Sequence, residues 1–339
     1  MDAPPVQYVK TSDGYNISYC VSGDGPPLVF MPPTFSSVQL VWRFYPDWMK
    51  GLAERFRLVQ YDSRGEGLST RGLSAGVSID DFIRDFETVV ARLGLQRFII
   101  WSWGTRAHVA VRYALQHSER VQALILHTCA ADNGAWNPGN ANLARQNWEF
   151  LLRSLASFNS KGLTREGEER LVEDYRSCVN QEDCIAYMHA LAASNIEAEV
   201  SSLHVPTLVM HQREHFSLPP EESIKFAAMI PGAQFALLDT YRLFGDAQQG
   251  LAAIDRFLKE APDAGSRADV SGRALPNGLS ARELEVLRLV AAGRSNQQIA
   301  DELVISLNTV RRHVSNVFDK TGVANRTEAS VYARDRGIA

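Results

Sequence analysis

Residues 307–320 carry polar side chains that could bind nucleic acid. Apolar residues recur there at three- and four-residue spacing, which places them on one face of a helix: Leu307, Val310, Val314, Val317 and Phe318. The opposite face presents side chains that donate or accept hydrogen bonds: Asn308, Thr309, Arg311, Arg312, Ser315 and Lys320. Such groups bond to phosphates and base edges, and one helix fits the major groove of DNA. The alternative is a solvated helix face, since two adjacent arginines alone do not distinguish the two.

Start signals of short helices surround this segment. Ser295 and Ser306 are predicted N-caps, because a serine oxygen can accept from the free N–H groups of a first turn. Two capping boxes begin at Ser280 and Asn325, each with a glutamate three residues later. Four short helices are therefore predicted near the C-terminus. The two between residues 293 and 322 have helix-turn-helix spacing.

Three motifs in this region resemble the DNA-binding domain of LuxR-type regulators. They are LSARELEVL at residues 279–287, GRSNQQIA at 293–300 and SLNTVRRH at 306–313. The resemblance covers about 60 residues without a gap and implies double-stranded DNA as a partner.

The same resemblance implies roles for individual residues. Arg311, Arg312 and Ser315 would read base edges, and His313 would support the helix. The last helix, with Val331 and Tyr332, would pair two copies into a homodimer. The remaining predicted DNA contacts are to phosphates, from Ser295, Asn296, Gln297 and Thr309.

Charge is unevenly divided along the chain. The 339 residues have a formal net charge of −4. Residues 279–339 hold nine lysines and arginines against seven aspartates and glutamates, so this part is positive by about two. Such a small excess of positive charge predicts weak nonspecific binding to DNA. A dimer on paired half-sites would therefore be needed for useful affinity.

Composition predicts a cytoplasmic protein. No uncharged apolar run approaches the roughly 18 residues of a membrane span, and the first residues lack an export signal. Four scattered cysteines form neither a disulfide framework nor a paired CxxC site. His211 and His215 have no carboxylate or cysteine beside them to complete a set of metal ligands, so no metal site is predicted. No other cofactor is predicted.

Residues 1–260 are predicted to form an α/β domain. Seven mainly apolar runs predict strands: 16–21, 28–31, 57–61, 97–101, 121–127, 206–211 and 234–238. Helical spacing alternates with them at 45–53, 79–93, 105–117, 221–230 and 247–258. This order predicts a mostly parallel sheet with helices on both faces.

Two further segments complete the predicted domain organisation. About residues 130–203 contain only helical patterns, at 143–158, 165–178 and 183–194, and would form a lid over the carboxyl ends of the strands. Residues 261–277 are rich in Gly, Pro, Ala and Ser and are predicted to be a linker. Residues 278–339 form the predicted helix-turn-helix domain.

The large domain resembles the α/β-hydrolase fold over about residues 6–258. Residues 61–69, YDSRGEGLS, are similar to the family's D-x-R-G-x-G-x-S loop. Residues 98–104, FIIWSWG, stand where the family has its nucleophile elbow, and residues 206–211 match the strand that carries the catalytic acid.

Hydrolase chemistry is nevertheless predicted to be absent. The family needs a serine, an acid and a histidine in that order. Ser102 stands at the expected nucleophile position as a relic, but Ile100 replaces the first glycine and His215 replaces the acid. No histidine lies between His215 and His313, so Ser102 has no base. We therefore predict that the protein is not an enzyme.

A pocket without catalysis could still hold a ligand. The residues expected to converge are Thr34, Phe35, Ser102, Trp103, His127, Trp136, His215, Phe216 and Tyr241, with Trp148 and Phe158 closing the pocket from the lid. This composition suits a small, largely apolar molecule oriented by a few hydrogen bonds. The alternative for such aromatic residues is ordinary core packing, which is favoured for Trp101.

These features predict a ligand-responsive transcription regulator that senses a small molecule and binds DNA. The first alternative is an active serine esterase with an appended DNA-binding domain. The second is a constitutive DNA-binding protein that uses the large domain only to dimerise.

Overall fold

The computed structural model describes residues 3–31, 33–74, 76–133, 138–159, 164–215, 218–239, 246–261, 279, 281–303, 307–336 and 338. The chain forms two compact units, Met1–Gly265 and Ser266–Ala339. The predicted limits at 1–260, 261–277 and 278–339 stay predictions.

Unit 1 is built on an eight-stranded sheet with the spatial order β1-β2-β4-β3-β5-β6-β7-β8. The pairs β1–β2 and β2–β4 are antiparallel, and the other neighbours are parallel. The strands are β1 (Gln7–Lys10), β2 (Asn16–Ser22), β3 (Pro27–Met31), β4 (Arg57–Tyr61), β5 (Phe98–Trp103), β6 (Val121–His127), β7 (Thr207–Gln212) and β8 (Gln234–Leu238).

Helices cover both faces of this sheet, as the mainly apolar strands require. They are α1 (Leu40–Phe44), α2 (Pro46–Ala53), α3 (Ile79–Arg92), α4 (Ala107–Gln116) and α9 (Pro220–Met229) between strands, and α10 (Ala247–Glu260) after β8. Side chains of α3, α4 and α9 share one buried cluster with one face of the strands. Those of α1, α2 and α10 share another cluster with the opposite face.

The described residues between β6 and β7 form four helices over the carboxyl ends of the strands. They are α5 (Pro138–Gln146), α6 (Trp148–Asn159), α7 (Arg165–Cys178) and α8 (Gln181–Ala192). Their apolar side chains make a separate cluster, which Phe35 joins from the loop after β3.

The prediction of one helix over residues 143–158 is wrong. Asn147 interrupts it, because its side-chain oxygen accepts a hydrogen bond from the Phe150 N–H at 3.0 Å and so caps α6.

Unit 2 contains α11 (Ala281–Ala291), α12 (Asn296–Leu303), α13 (Leu307–Thr321) and α14 (Arg326–Asp335). The predicted cap at Ser295 is confirmed, since its hydroxyl accepts from the Gln298 N–H at 3.2 Å. Asn325 likewise caps α14 by accepting from the Glu328 N–H at 3.0 Å. Ser280 and Ser306 lie outside the described residues.

The predicted fold class, an α/β sheet with a helical lid plus a small helical unit, is confirmed. Two short elements, β1 and α1, were not predicted from the sequence. Among the described helices, none combines the length and apolar character that a bilayer crossing requires.

Packing of α2 against α10 gives a first prediction. A methyl group at Gly250 would overlap the indole ring of Trp48. Gly250→Ala should therefore lower the free energy of unfolding by about 1–3 kcal/mol through overpacking, although alanine is the better helix former. Chemical denaturation measures this. Gly76→Ala is the control, since a Cβ there meets nothing within 4 Å, and an equal loss in both variants would contradict the packing argument.

Candidate functional site

The turn between β5 and α4 corresponds to the nucleophile elbow of the sequence motif. The strand ends at Trp103, and residues Gly104–Arg106 form a 3-10 turn that leads into α4. Gly104 has φ +59°, in the left-handed region that L side chains rarely adopt. A sharp strand-to-helix turn with a strained apex is where the nucleophile of this fold belongs. The apex here is Gly104, which has no side chain.

This geometry corrects the expected placement of Ser102. The residue lies inside β5, where it is in register with Met31 of β3 and Leu126 of β6. Its side chain is 0% exposed, and its hydroxyl has no hydrogen-bond partner within the described part of the chain. Ser102 is therefore a strand residue two positions before the turn and is not a presented nucleophile.

Of Ser102, Trp103 and His127, which were expected to converge, the structure brings only Trp103 and His127 together. Side chains alternate between the faces of a strand. Trp103 packs with Trp101 in the cluster under α2 and α10. Ser102 faces the other side, with Ile100. His127 lies beside Trp103, with ring centroids 3.9 Å apart.

His127 is a neutral core residue. It is 0% exposed, and burial moves its pKa well below the ordinary value of histidine. Neither ring nitrogen has a hydrogen-bond partner among the described residues. Its closest aromatic neighbours are Trp48, Trp101 and Trp103.

The loop after β3 is attached to the lid. Phe35 adopts φ +64° and is buried against Trp148 and Tyr175, with ring centroids 6.0 Å and 5.8 Å away. Thr34 beside it is half-buried. Phe35 thus packs within the lid core.

The position expected for the catalytic acid carries a neutral imidazole. His215 accepts a hydrogen bond at Nδ1 from the Leu218 N–H at 3.1 Å, and burial lowers its pKa to about 3. His211 in β7 contacts the Ser223 hydroxyl at 2.8 Å and the Leu218 carbonyl at 3.1 Å. Both rings therefore support the backbone of their own loop.

Other predicted pocket residues fall outside the described ranges. These are Trp136, Phe216 and Tyr241, together with the side chain of Phe158. Among the residues that the structure describes, no group of three or more His, Cys, Asp or Glu side chains could hold a metal ion.

A buried charge pair beside the elbow was not predicted from the sequence. Arg106 ends the 3-10 turn, donates to the Ser63 hydroxyl at 2.5 Å and forms an ion pair with Glu66. Its guanidinium carbon lies 5.1 Å from the ring centroid of Tyr187 in α8. Arg106 therefore connects the elbow to the 62–69 loop and to the lid.

Asp62 organises the same loop. Its carboxylate accepts from the Val38 N–H at 2.8 Å and from the Leu68 N–H and Ser18 hydroxyl at 2.9 Å. Burial raises its pKa to about 6, and these hydrogen bonds oppose that rise. Gly67 has to be glycine, because a Cβ there would overlap the Asp62 carboxylate.

A cavity of about 250 Å³ opens between the loop after β3, the 62–69 loop and α7. Its walls include Ser37, Gln39, Arg43, Leu68 and Asp174. Of the predicted pocket residues that the structure describes, none is part of these walls: Thr34, Phe35, Ser102, Trp103, His127 and His215.

In unit 2, α13 presents one exposed and one buried face. Val310, His313 and Val317 are buried, whereas Arg311, Arg312 and Ser315 are exposed. The side chains of Asn308 and Thr309 lie outside the description. The exposed side chains form the face predicted to meet DNA.

Several other residues predicted to contact DNA have partners inside unit 2. Lys320 donates to Glu283 at 2.7 Å, so its charge is paired within unit 2, and its contact with DNA stays a prediction. Asn296 accepts from Arg326 at 3.1 Å, and Gln297 donates to Asp301 at 2.9 Å.

Comparisons with known protein families agree with both parts of this geometry. The family described as bacterial regulatory proteins, luxR family, matches residues 277–333. The family described as alpha/beta hydrolase fold matches residues 26–161. The chain joins an α/β-hydrolase-fold domain to a LuxR-type DNA-binding domain.

Individual relatives match one domain each. The transcriptional regulatory protein LiaR of Bacillus subtilis is 47% identical over 70 residues, which are 20% of this chain and 33% of LiaR. The chain thus matches only about a third of that protein. The putative carbamate hydrolase RutD of Pseudomonas savastanoi is 24% identical over 242 residues, 66% of this chain and 89% of RutD.

Solved structures agree on the fold of the first domain. The enol-lactonase from Burkholderia xenovorans has a TM-score of 0.64 at 20% identity, covering 75% of this chain and all of that one. An esterase from Exiguobacterium antarcticum has a TM-score of 0.65 at 17% identity, and the match covers 75% of this chain and 99% of the esterase.

The hydrolase-fold domain gives a second prediction. Ser102→Ala removes a buried hydroxyl without a partner, so the free energy of unfolding should stay the same or rise by up to about 1 kcal/mol. Ser223→Ala is the matched control, because that hydroxyl contacts His211 and the backbone of Cys129, and its loss should cost about 1–3 kcal/mol. Unfolding by denaturant gives the free energy of unfolding of each variant, and the two values are compared with that of the unsubstituted protein. Equal destabilisation would show that Ser102 makes a bond in the folded protein.

Proposed function

We propose that this chain is a ligand-responsive transcription regulator. Its hydrolase-fold domain binds a small, largely apolar molecule without turning it over, and residues 278–339 bind double-stranded DNA. Gly104 at the apex of the elbow is the observation that carries the proposal. A domain that keeps the fold but presents no nucleophile there is suited to binding.

The ligand would enter beneath the lid, at the carboxyl ends of the strands, where open α/β sheets bind their ligands. Thr34 and His215, both half-buried at loops after strands, remain candidates for its polar contacts, and Trp136, Phe216 and Tyr241 remain candidates from the sequence. Phe35 contributes by fixing the lid. No metal or cofactor is needed for this role.

The DNA-binding half of the proposal is supported by the exposed face of α13. Arg311 and Arg312 would contact base edges or phosphates, with Ser315 beside them. Ser295, Asn296, Gln297, Asn308 and Thr309 are proposed as supporting contacts. Asn296 and Gln297 would contribute through their backbone, since their side chains are engaged within unit 2.

A homodimer completes the DNA-binding proposal. On α14, Val331 is 50% exposed, and Tyr332 is half-buried beside it. An exposed apolar residue on the last helix is a suitable contact for a second copy. Two copies would double the small positive charge of the domain and place two recognition helices on paired half-sites.

Ligand binding would change DNA affinity by favouring one dimer state over another. The regulator would work in the cytoplasm, where both DNA and small metabolites are accessible.

The active-esterase alternative is less well supported. It requires a serine at the apex of the elbow, and Ser102 is buried inside β5. The likeness to hydrolases concerns the fold and supplies no nucleophile.

The DNA-binding half gives a third prediction. Duplexes that bind the full chain are first selected from a randomised library. By fluorescence anisotropy, Arg311→Ala and Arg312→Ala should each weaken binding to the selected duplex by roughly 5- to 150-fold, the range of one base or phosphate contact. Arg288→Ala on α11 is the control of equal charge change and should alter affinity less than twofold. Unchanged affinity in both α13 variants would contradict the proposed interface.

A further inference from the structure

Four polar atoms near the elbow have no hydrogen-bond partner among the described residues. They are Nε of Arg106, Oε1 of Glu66 and the hydroxyls of Tyr61 and Tyr187. All four residues are at most 3% exposed. Buried polar groups in native proteins are nearly always satisfied by protein, water or ligand, so four in one place require an explanation.

These atoms belong to one cluster. Arg106 forms the ion pair with Glu66 and lies over the ring of Tyr187. Burial raises the pKa of the Tyr61 hydroxyl, and the charge of Arg106 opposes that rise, so the two groups interact. Ser63, between Tyr61 and Glu66 in sequence, accepts from Arg106.

The cluster lies where a ligand of this fold would be expected. Tyr61 ends β4, Arg106 follows β5 by three residues, and Tyr187 belongs to lid helix α8. β4 and β5 lie on either side of β3, and the carboxyl ends of parallel strands are the usual binding edge of an α/β sheet. At Gly104, in the same turn as Arg106, a Cβ would meet no heavy atom within 4 Å. The turn therefore has free space beside it.

The chemistry of the four atoms selects a type of ligand group. Arg106 Nε–H can only donate, Glu66 Oε1 can only accept, and the two phenol hydroxyls can do both. Arg106 and Glu66 already balance each other's charge. A carboxylate or an ammonium group would be buried here without a counter-charge, which is costly. A neutral group with both a donor and an acceptor matches all four atoms.

We propose that Arg106, Glu66, Tyr61 and Tyr187 bind the neutral polar head of the ligand, a hydroxyl or a primary amide on an otherwise apolar molecule. This assignment rests on the proposed sensor function and specifies the class of molecule sensed.

Three probes of equal chain length test the assignment: hexanamide, hexanoate and hexylamine, titrated into the full chain by calorimetry. Hexanamide and hexanoate have nearly the same shape, so they differ mainly in charge and in the presence of a donor. Hexanamide should bind at least about tenfold more tightly than either charged probe.

Tyr187→Phe and Tyr61→Phe test the contacts. Each should weaken hexanamide binding by roughly 2- to 10-fold, the effect of one hydrogen bond. Without probe, the unfolding midpoint of Tyr187→Phe should not fall, because its hydroxyl has no partner in the described part of the chain. Ser22→Ala is the control, since it removes another buried hydroxyl without a partner in the described part of the chain, at the end of β2, and it should leave hexanamide affinity unchanged.

Equal or tighter binding of a charged probe, binding of none of the three, or unchanged hexanamide affinity in both phenylalanine variants would overturn the assignment. Anisotropy with the selected duplex separates this failure from failure of the sensor proposal. A charged probe that binds at least as tightly as hexanamide and shifts duplex affinity would refute the head-group assignment alone. Hexanamide that binds without any shift in duplex affinity would refute the sensor proposal and leave the assignment standing.

Discussion

The left-handed backbone at the turn after β5 constrains the whole large domain. A parallel strand at the centre of the sheet must reverse within three residues into a helix that packs back on it. One residue at that reversal has to adopt a positive φ, and glycine does so at the lowest cost. Enzymes of this fold place a catalytic side chain at that strained position. In this chain Gly104 occupies that position, and it has no side chain.

The residues around the turn connect three parts of the domain. Arg106 and Glu66 place a buried ion pair beside the elbow, and Tyr187 brings the lid onto the same guanidinium. Breaking such a pair by removing one partner is strongly destabilising, whereas the intact pair adds little net stability. The ion pair therefore serves mainly to position neighbouring segments, because the Arg106 side chain connects the turn, the 62–69 loop and the lid. A ligand that bonds to this cluster would act on all three at once.

Sequence reasoning succeeded where the determining pattern was local. The strands at 57–61, 121–127 and 234–238 have the bounds that their apolar runs predicted, and the stripe on α13 buries Val310 and Val317 as its spacing required. The elbow was misplaced by two residues. The order Ser-Trp-Gly resembles the family motif, but which residue reaches the apex depends on where β5 stops pairing with β3 and β6. The Arg106–Glu66 pair spans 40 positions and left no local pattern. The break at Asn147 did have a local signal, since asparagine is a strong N-cap.

Covalent trapping tests most directly whether the hydrolase-fold domain binds without catalysis. The purified full chain is incubated with an alkyl fluorophosphonate, which reacts with activated serines, and its intact mass is recorded. A glycine at the apex and a buried Ser102 predict an unchanged mass after prolonged incubation. A stoichiometric adduct that maps to a serine of the hydrolase-fold domain would contradict the account, because it would reveal an activated nucleophile in that domain.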